Sequence, residues 1–416
     1  MSGSQKRLAL PVKILIAMIL GGIVGFFAGP QISKIAFVGD IFVRLLKMCI
    51  YPLIFFSIIS GISQVTDMKR LGRVGGGFFI YWCVSSAIAA FIGLAWGLVL
   101  KPGAGIELAE KAGVPVISDT NIMASFINWI PNNPFASLAN GDVIQIIVFA
   151  IISGIVLAGC KETNFGKTIS DGVNALNELV SKIVALVINL APFGVFALSA
   201  NLTGTLGGTV IGSLGKMLLC IYLAMGTMLL IIYPIFIKTI GKLSPIRYFK
   251  NIYPVLVMAF STCSSSATLP VTMKVSKERL GVPEDMVNLI APPAATINMH
   301  GSALEMPIYA VFAAQLYGIN LPLSSMLLII FLGMIMSAGA AGMPGSGIMM
   351  IAILLEILGL PLTIVPWIAG VYYLIDMPST TMNVTGDTVG MTTIASVLNE
   401  IDRNTFNAPK AILENS

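Results

Sequence analysis

Charged residues are scarce in this chain of 416 residues, of which they make up 10%. Soluble domains carry about a quarter charged residues, so this composition excludes an ordinary soluble domain. Hydrophobic residues make up 56% of the chain, and the mean hydropathy is +0.92. These values predict an all-α polytopic membrane protein. The net charge of +5 lies mainly in short loops, so it concerns orientation in the membrane and not binding to nucleic acid.

Histidine and cysteine are also scarce. The single histidine, His300, excludes a metal site built from several histidines. The cysteines lie in apolar surroundings without metal or redox spacing, so we expect no cofactor and expect all but Cys263 to pack in the core. We expect no cleaved signal peptide, because the first apolar run continues to Phe27 without a small-residue cleavage site. The cysteines are Cys49, Cys83, Cys160, Cys220 and Cys263.

One stretch places polar residues where a lipid-facing helix carries none. After the apolar run 367–375 come Asp376, Thr380, Asn383 and Asp387, at i, i+4, i+7 and i+11. In a helix this spacing puts all of them on one face. An ionisable group at membrane depth is costly and usually faces a protein interior or a watery cavity. The alternative is an aqueous face near the cytoplasmic end of the helix, but two carboxylates with an amide favour a binding site.

Two apolar segments are broken in the manner of re-entrant hairpins. Basic clusters at 238–250 and 274–279 flank an apolar stretch of about one membrane span, whose centre, 261–266, is polar. Both clusters favour the cytoplasm, so we expect a hairpin that enters from that side and turns at the serines. The glycine-rich break at 337–347 predicts a second hairpin. Paired broken segments are the best sequence indication of a transporter site.

The remaining apolar runs complete a layout of eight transmembrane helices plus the two hairpins. Both termini are expected in the cytoplasm, with the chain spanning the cell (inner) membrane several times. The hairpin-then-helix units 243–317 and 323–402 suggest an inverted repeat. The predicted spans are 10–28, 38–62, 77–100, several short helices within 122–160, 170–200, 210–240, 286–317 with an interruption at 298–302, and the last helix with the polar stripe.

Four motifs, in this order along the chain, carry a family resemblance. They are Ser264–Ser266 with Thr-Leu-Pro-Val-Thr-Met at 268–273, Asn298–Ser302, Gly342–Gly345 and Met382–Asp387. They resemble the signatures of the dicarboxylate/amino acid:cation symporter family, which includes glutamate transporter homologues and neutral amino acid exchangers. The resemblance implies a homotrimer with a static scaffold and a transport domain that moves as an elevator. By this resemblance, the scaffold comprises 1–70 and 121–200, and 403–416 is a cytoplasmic tail. The moving transport domain comprises the helix and outer loop 71–120, helix 201–242, hairpin 243–283, helix 284–317, the gating hairpin 318–360 and helix 361–402.

The resemblance also implies a substrate site. Asp376 would pair with the substrate ammonium, and the hairpin serines, with hydroxyls and N–H groups at a half-helix end, suit its carboxylate. Acidic amino acid transporters of the family carry an arginine at the position of Ser379, and some relatives carry one at Cys263. Without either, an acidic side chain would be buried unpaired, so we expect a neutral amino acid, small or bulky. The implied contacts are Cys263, Ser264, Ser265, Ser266, Ser302, Met343, Gly347, Asp376, Ser379, Thr380 and Asn383.

Two sodium sites persist by the same resemblance, and oxygen ligands suit such a hard ion. A third is expected to be lost, because His300 and Trp82 replace its aspartate and tyrosine, although Ser85 and Ser86 remain. His300 would then be a neutral filler or, with Glu305, a carrier of protons; Glu305 could equally make a structural hydrogen bond. The first site comprises Asp387, Asn383, Asn298 and the Ala294 carbonyl, and the second comprises Thr296 with the carbonyls of Ser337, Ala338 and Ala340.

These residues predict a secondary active transporter that moves a neutral amino acid inward with sodium ions, and not an enzyme. Proton-coupled or exchange-mode transport through His300 and Glu305 is the alternative. An intramembrane hydrolase built on Ser346 is disfavoured because Pro344 stands where its motif needs glycine. An aspartyl protease needs two facing carboxylates, but Asp376 and Asp387 share one helix. A channel would not need paired hairpins.

Overall fold

The computed structural model describes residues 10–63, 71–105, 127, 129–160, 162–206, 209–338 and 346–408, and regular secondary structure within them is helical. The helices are α1 Leu10–Ala28, α2 Ala36–Ser63, α3 Gly76–Leu100, α4 Pro134–Asn140, α5 Val143–Cys160, α6 Asn164–Asn189, α7 Ala191–Leu206, α8 Thr209–Thr227 with its continuation through π-helical turns to Ile240, α9 Pro245–Thr262, α10 Ser265–Glu278, α11 Glu284–Ile297, α12 His300–Leu316, α13 Leu323–Ser337, α14 Ser346–Ile357, α15 Val365–Val397 and α16 Arg403–Asn407.

Helix bounds agree with most of the predicted spans. The helices α1, α2 and α3 start and end within two residues of the first three predicted spans, and α8 covers the span predicted at 210–240. The predicted interruption of the span 286–317 is present but shorter: only Asn298 and Met299 lie outside α11 and α12. The apolar patterning and the helix-breaking motif were therefore sufficient to place these helices.

The span predicted over 170–200 contains a bend that the sequence analysis did not predict. Two helices, α6 and α7, occupy this region and are bent by 49° relative to each other. Pro192 is the second residue of α7 and has no N–H to donate to the backbone carbonyl of Ile188, one turn earlier. The N–H groups of Phe193 and Gly194 bond instead to the carbonyl of Leu190, which starts the new helix.

The first predicted hairpin takes the form of two helices in contact, α9 and α10, joined at Cys263 and Ser264. Cys263 ends α9 with a left-handed φ of 50°, and Ser264 caps α10 by accepting a hydrogen bond of 3.2 Å from the Ala267 N–H. The chain therefore reverses at the first of the three serines. The tip of the second hairpin, 339–345, lies outside the described residues.

Two sets of helices build the molecule. In one set, α1 packs on α7, and α2 packs on α5, α6 and α7. In the other, α3 and α13 pack on α12, and α9, α11 and α12 pack on α15. These sets contain the helices predicted for the scaffold and for the transport domain, although their division into static and moving parts stays a prediction.

Large apolar side chains are exposed on the outer surface of the helices and some carboxyl groups are buried between them, as a bilayer favours. Phe27 is 82% exposed and Leu230 is 76% exposed, whereas Glu305 and Asp387 are buried. Three helical stretches among the described residues are long and apolar enough to cross a membrane, and the bent pair α6–α7 would make a fourth. The full layout of eight transmembrane helices and two re-entrant hairpins stays a prediction. The three stretches are Ile16–Phe42, Arg73–Leu100 and Gly212–Ile240.

Replacing Gly25 with alanine should destabilise the protein, because α1 crosses α7 there. A methyl group at Gly25 would overlap the backbone carbonyl of Ala200, whereas one at Gly22 would lie 3.7 Å from Thr203 Cγ2, an ordinary contact. Such overpacking costs about 1–3 kcal/mol. We expect G25A to lower the apparent unfolding temperature in detergent by several degrees and G22A to leave it nearly unchanged. Equal unfolding temperatures for the two variants would contradict this packing.

Candidate substrate and cation site

The polar stripe lies within a continuous helix of 33 residues, α15, as its spacing predicted. Asp376, Thr380, Asn383 and Asp387 are each no more than 6% exposed. The stripe therefore faces the protein and not lipid. The carboxylate of Asp376 lies near enough to the thiol of Cys263, at the tip of the first hairpin, to influence it electrostatically. The helix and the hairpin tip thus meet at the residue predicted to hold a substrate ammonium.

The hairpin serines take different positions. Ser264 and Ser265 are buried, and the Ser265 hydroxyl donates to Met299 Sδ at 3.9 Å. This contact places the start of α10 against the break between α11 and α12. Ser266 is exposed and lies outside the buried cluster, so the structure brings together two of the three predicted serines. The N–H groups at the start of α10 are the local source of positive potential for an anion.

The break between α11 and α12 supplies the first predicted sodium ligands. Asn298 Nδ2 donates to Asp387 Oδ1 at 2.8 Å, and both side chains are buried. Asn298 Oδ1 is buried without a hydrogen-bond partner among the described residues. The carbonyl of Ala294 accepts the Asn298 N–H at 2.9 Å, as the end of a helix requires. A carboxylate beside an unused amide oxygen matches the donor set that a hard cation prefers.

Asn383 holds the start of α12 in place. Its Oδ1 accepts the Gly301 N–H at 2.6 Å, so this oxygen is already used by the protein. Gly301 also lies so close to α15 that a methyl group there would overlap the Ser379 hydroxyl. The neighbouring Ser302 is buried. These contacts fix the crossing of α12 and α15 at the predicted substrate residues.

Glu305 lies one helical turn beyond Gly301 on α12 and is completely buried. The Tyr309 hydroxyl donates to its Oε2 at 3.1 Å, while Oε1 has no hydrogen-bond partner among the described residues. The Ser379 hydroxyl and the Asp376 carboxylate are its other polar neighbours. The sequence indicated only that Glu305 could face the same interior as Asn298. Its position beside Ser379 was not predicted.

Tyr372 was missed by the sequence analysis, although it lies four residues before Asp376 and hence on the same face of α15. It is buried, and its hydroxyl lies against Gly347 at the start of α14. Tyr372 therefore connects the polar stripe to the second predicted hairpin. Two other residues predicted on this hairpin, Met343 and Ala340, lie outside the described residues.

Two residues of the predicted third cation site, His300 and Ser85, are hydrogen-bonded to each other. His300 Nε2 lies 2.7 Å from the Ser85 hydroxyl, and His300 Nδ1 lies 2.8 Å from the Tyr233 hydroxyl. Trp82 Nε1 donates at 3.1 Å to the carbonyl of Ile297, at the helix break. These groups fill the space with direct hydrogen bonds. Both ring nitrogens of His300 therefore have hydrogen-bond partners within the protein.

The network around His300 extends to tyrosines that the sequence analysis did not single out. The Tyr233 hydroxyl also donates to the Met382 carbonyl at 3.0 Å, and the Tyr81 hydroxyl donates to the Gly386 carbonyl at 2.8 Å. Ser86, predicted beside them, is buried, and its hydroxyl has no partner within the described ranges. Tyr81 and Tyr233 thus tie α3 and α8 to the polar part of α15.

The second predicted sodium set is only partly described. Thr296 is half-buried and lies beside α2, where a methyl group at Gly61 would be 3.7 Å from its Cγ2. Ser337 is buried and its hydroxyl donates to the Met334 carbonyl at 2.7 Å. Ala338 follows it at the end of α13. This site stays a prediction.

A cavity of about 520 Å³ lies away from these residues, between α1, α7, α8 and α15. Met18, Phe26, Leu218 and Val371 are among the side chains that line it, and its walls are almost entirely apolar. It offers too few polar groups to hold a zwitterion. We therefore place the candidate site at the crossing of α12 and α15 and the first hairpin tip.

Comparison with known proteins finds relatives over nearly the whole chain. The sequence profile of the sodium:dicarboxylate symporter family matches residues 10–397. A proton/sodium-glutamate symport protein from Geobacillus stearothermophilus is 32% identical over 400 residues, or 92% of this chain and 93% of the relative. A proton/glutamate-aspartate symporter from Escherichia coli is 30% identical over 416 residues, or 95% and 94%. A C4-dicarboxylate transport protein from Rhodospirillum rubrum is 31% identical over 406 residues, or 95% and 90%.

These matches extend over nearly the whole chain and include the hairpin, the helix break and the polar stripe. The names are those of transporters, which confirms the prediction of a transporter and not an enzyme. The resemblance carried by the four sequence motifs is likewise confirmed. The chain belongs to the sodium:dicarboxylate symporter family, whose members are membrane transporters that couple solute to cations.

Proposed function

We propose that this protein is a secondary active transporter of the cell membrane that couples uptake of a neutral amino acid to sodium ions. The observation that carries the proposal is the position of Asp376, buried on α15 beside Cys263 at the first hairpin tip. A carboxylate in such a place can form a strong, charge-assisted pair with the α-ammonium of an amino acid. The N–H groups at the start of α10 and the Ser302 hydroxyl can receive the α-carboxylate.

The charge of the site favours a neutral side chain on the substrate. No lysine or arginine side chain among those that the structure describes is buried. Ser379 stands where an arginine would grip an acidic side chain, and its neighbours are Glu305 and Asp376. An acidic substrate would therefore bring a further anion to a site that already holds two carboxyl groups, at a high desolvation cost. The relatives named for glutamate, aspartate or C4-dicarboxylates would differ from this chain in that respect.

Sodium is the proposed coupling ion at the first cation site. Asp387 and the unused Oδ1 of Asn298 supply oxygen ligands, and Asn383 links this site to the substrate residues through the start of α12. An ion bound there would hold the helix break in the form that binds substrate. Binding of either ligand must then raise the affinity for the other. Two sodium ions are proposed, because the hydrogen-bonded network of His300 fills the third site.

The transport cycle is proposed to follow the family arrangement. A homotrimer would present a static scaffold, and the transport domain would move across the membrane with both termini in the cytoplasm. The second hairpin would act as the gate, which the contact of Tyr372 with Gly347 supports. Proton coupling is the second candidate, because Glu305 has an unpartnered oxygen and the relatives include proton symporters. Exchange is an alternative mode of the same site.

Thermal-shift binding of the purified protein tests the proposal. Each of the twenty amino acids is added with sodium, or with potassium as the control, at two pH values. A ligand that binds only the folded state raises the unfolding temperature by mass action. We expect at least one neutral amino acid to stabilise the protein in sodium but not in potassium. Stabilisation that depends on pH and not on sodium would favour proton coupling, and stabilisation by acidic amino acids alone would contradict the proposal.

Replacing Asp387 with asparagine should weaken sodium coupling. The amide removes the carboxylate charge but keeps a similar shape, so we expect the sodium concentration for half-maximal stabilisation with substrate to rise about tenfold or more, equal to about 1.4 kcal/mol. Asp171, an exposed aspartate on α6, provides the matched control D171N. An unchanged sodium titration of D387N would remove this residue from the cation site.

Installing an arginine at position 379 should admit acidic substrates once Glu305 is neutralised. In S379R alone the guanidinium would pair with Glu305, its neighbour, so the double variant S379R/E305Q is the informative one. We expect aspartate or glutamate to stabilise it at concentrations about tenfold lower than they need with the uncharged control S379M/E305Q. Equal titrations for the two double variants would show that position 379 does not face the substrate side chain.

A further inference from the structure

Glu305 is a completely buried carboxyl group on α12, one of whose oxygens has no hydrogen-bond partner among the described residues. Gly301, Glu305 and Tyr309 follow at i, i+4 and i+8 along α12, so they lie in one column that faces α15. Gly301 packs against Ser379, and Tyr309 donates a hydrogen bond to Glu305 Oε2. Oε1 has no partner in the described part of the chain, although Glu305 is 0% exposed.

The Glu305 carboxyl lies close to the residues that are proposed to bind the substrate. The Ser379 hydroxyl is a hydrogen-bonding neighbour of the Glu305 carboxyl, and Asp376 lies one turn before Ser379 on α15. If Asp376 holds the α-ammonium, the side chain of the bound amino acid extends toward position 379. The carboxyl group of Glu305 therefore lies near the place where the end of that side chain would be.

Three explanations of this carboxyl differ in what they require. A purely structural role is served by the bond from Tyr309, but it leaves Oε1 unused. A role in carrying protons needs no particular side chain on the substrate. A role in recognition requires a hydrogen-bond donor on the ligand, and buried polar atoms are seldom left without one. The closeness of Glu305 to Ser379 favours recognition, because the side chain of the proposed substrate would extend toward Ser379.

We propose that Glu305 is a specificity-determining residue whose Oε1 accepts a hydrogen bond from the side chain of the transported amino acid. This inference rests on the proposed function. It narrows the substrate to a neutral amino acid whose side chain ends in a hydrogen-bond donor, a carboxamide or a hydroxyl. A site built around a buried acceptor rejects analogues that lack the donor, because the acceptor is then left unpaired.

Matched pairs of amino acids test the inference on the wild-type protein. Each pair differs in the donor but little in size: glutamine and methionine, threonine and valine, serine and alanine. In sodium, the concentration of each that gives half-maximal thermal stabilisation is measured. We expect the donor-bearing member of the best-binding pair to need a concentration about tenfold lower than its apolar partner. An equal or reversed preference in every pair would overturn the inference.

Variants at Glu305 then assign the preference to this side chain. E305M keeps the length of the side chain and removes the acceptor, so the preference should fall to within about twofold. E305Q keeps one acceptor oxygen and should retain a preference between those of wild type and E305M. E278M, at an exposed glutamate on α10, is the control and should behave as wild type. A preference that survives unchanged in E305M would overturn the inference, and E305L, which also removes the acceptor, gives the same test if E305M does not fold.

Two further outcomes separate this inference from the proposed function. If no amino acid stabilises the protein in sodium, the proposed function itself fails. If a neutral amino acid binds without regard to a side-chain donor, the proposed function stands and only the role of Glu305 is refuted. Lysine and ornithine complete the series. If they bind tighter than every neutral amino acid, Glu305 pairs with a cation, and both the neutral substrate and the inference as stated are wrong.

Discussion

The cost of placing a carboxylate inside a membrane protein is the constraint on which the rest of this structure depends. Asp376, Asp387 and Glu305 are all buried among helices whose outer faces are apolar. A charge in such a place must be matched by hydrogen bonds, by a counter-ion or by a proton. Asn298 gives Asp387 one hydrogen bond, and Tyr309 gives Glu305 one. For Asp387 and Glu305, the hydrogen bonds that are still lacking would be supplied most simply by ligands that bind and leave together, which is the physical basis of symport.

Breaks in the helices are a second structural feature of the candidate site. The chain interrupts α11–α12 at Asn298 and Met299 and turns between α9 and α10 at Cys263 and Ser264. Each break exposes backbone groups at the end of a helix, where they can contact an ion or a carboxylate. Side chains of the protein bond to some of these groups: Trp82 donates a hydrogen bond to the Ile297 carbonyl, and Asn383 accepts one from the Gly301 N–H. Ligands are expected at the backbone groups of these helix ends that do not bond to a side chain.

Much of this arrangement could be predicted from the sequence, because long apolar runs and a polar stripe at helical spacing leave few alternatives. The helix of Asp376 and Asp387 and the break at Asn298 were placed correctly for that reason. The bend at Pro192 was missed, although a proline inside a predicted span is a sequence sign of a helix break. The contact of Glu305 with Ser379 could not be foreseen either, because it depends on the closeness of α12 to α15 at Gly301. Tyr233, which joins His300 from α8, is 67 residues distant in sequence, and no local pattern relates the two.

The central claim is that the site binds a zwitterionic amino acid, with Asp376 as the partner of its ammonium group. The most direct test compares an amino acid that binds in sodium with analogues of the same carbon skeleton in which the α-amino group is replaced by hydrogen or hydroxyl. Equilibrium binding to the purified protein is measured for each. The account predicts sodium-dependent binding of the amino acid and a loss of at least about a hundredfold in affinity for both analogues, equal to about 2.8 kcal/mol. Equal binding of the analogues, or binding of C4-dicarboxylates in preference to any amino acid, would contradict it.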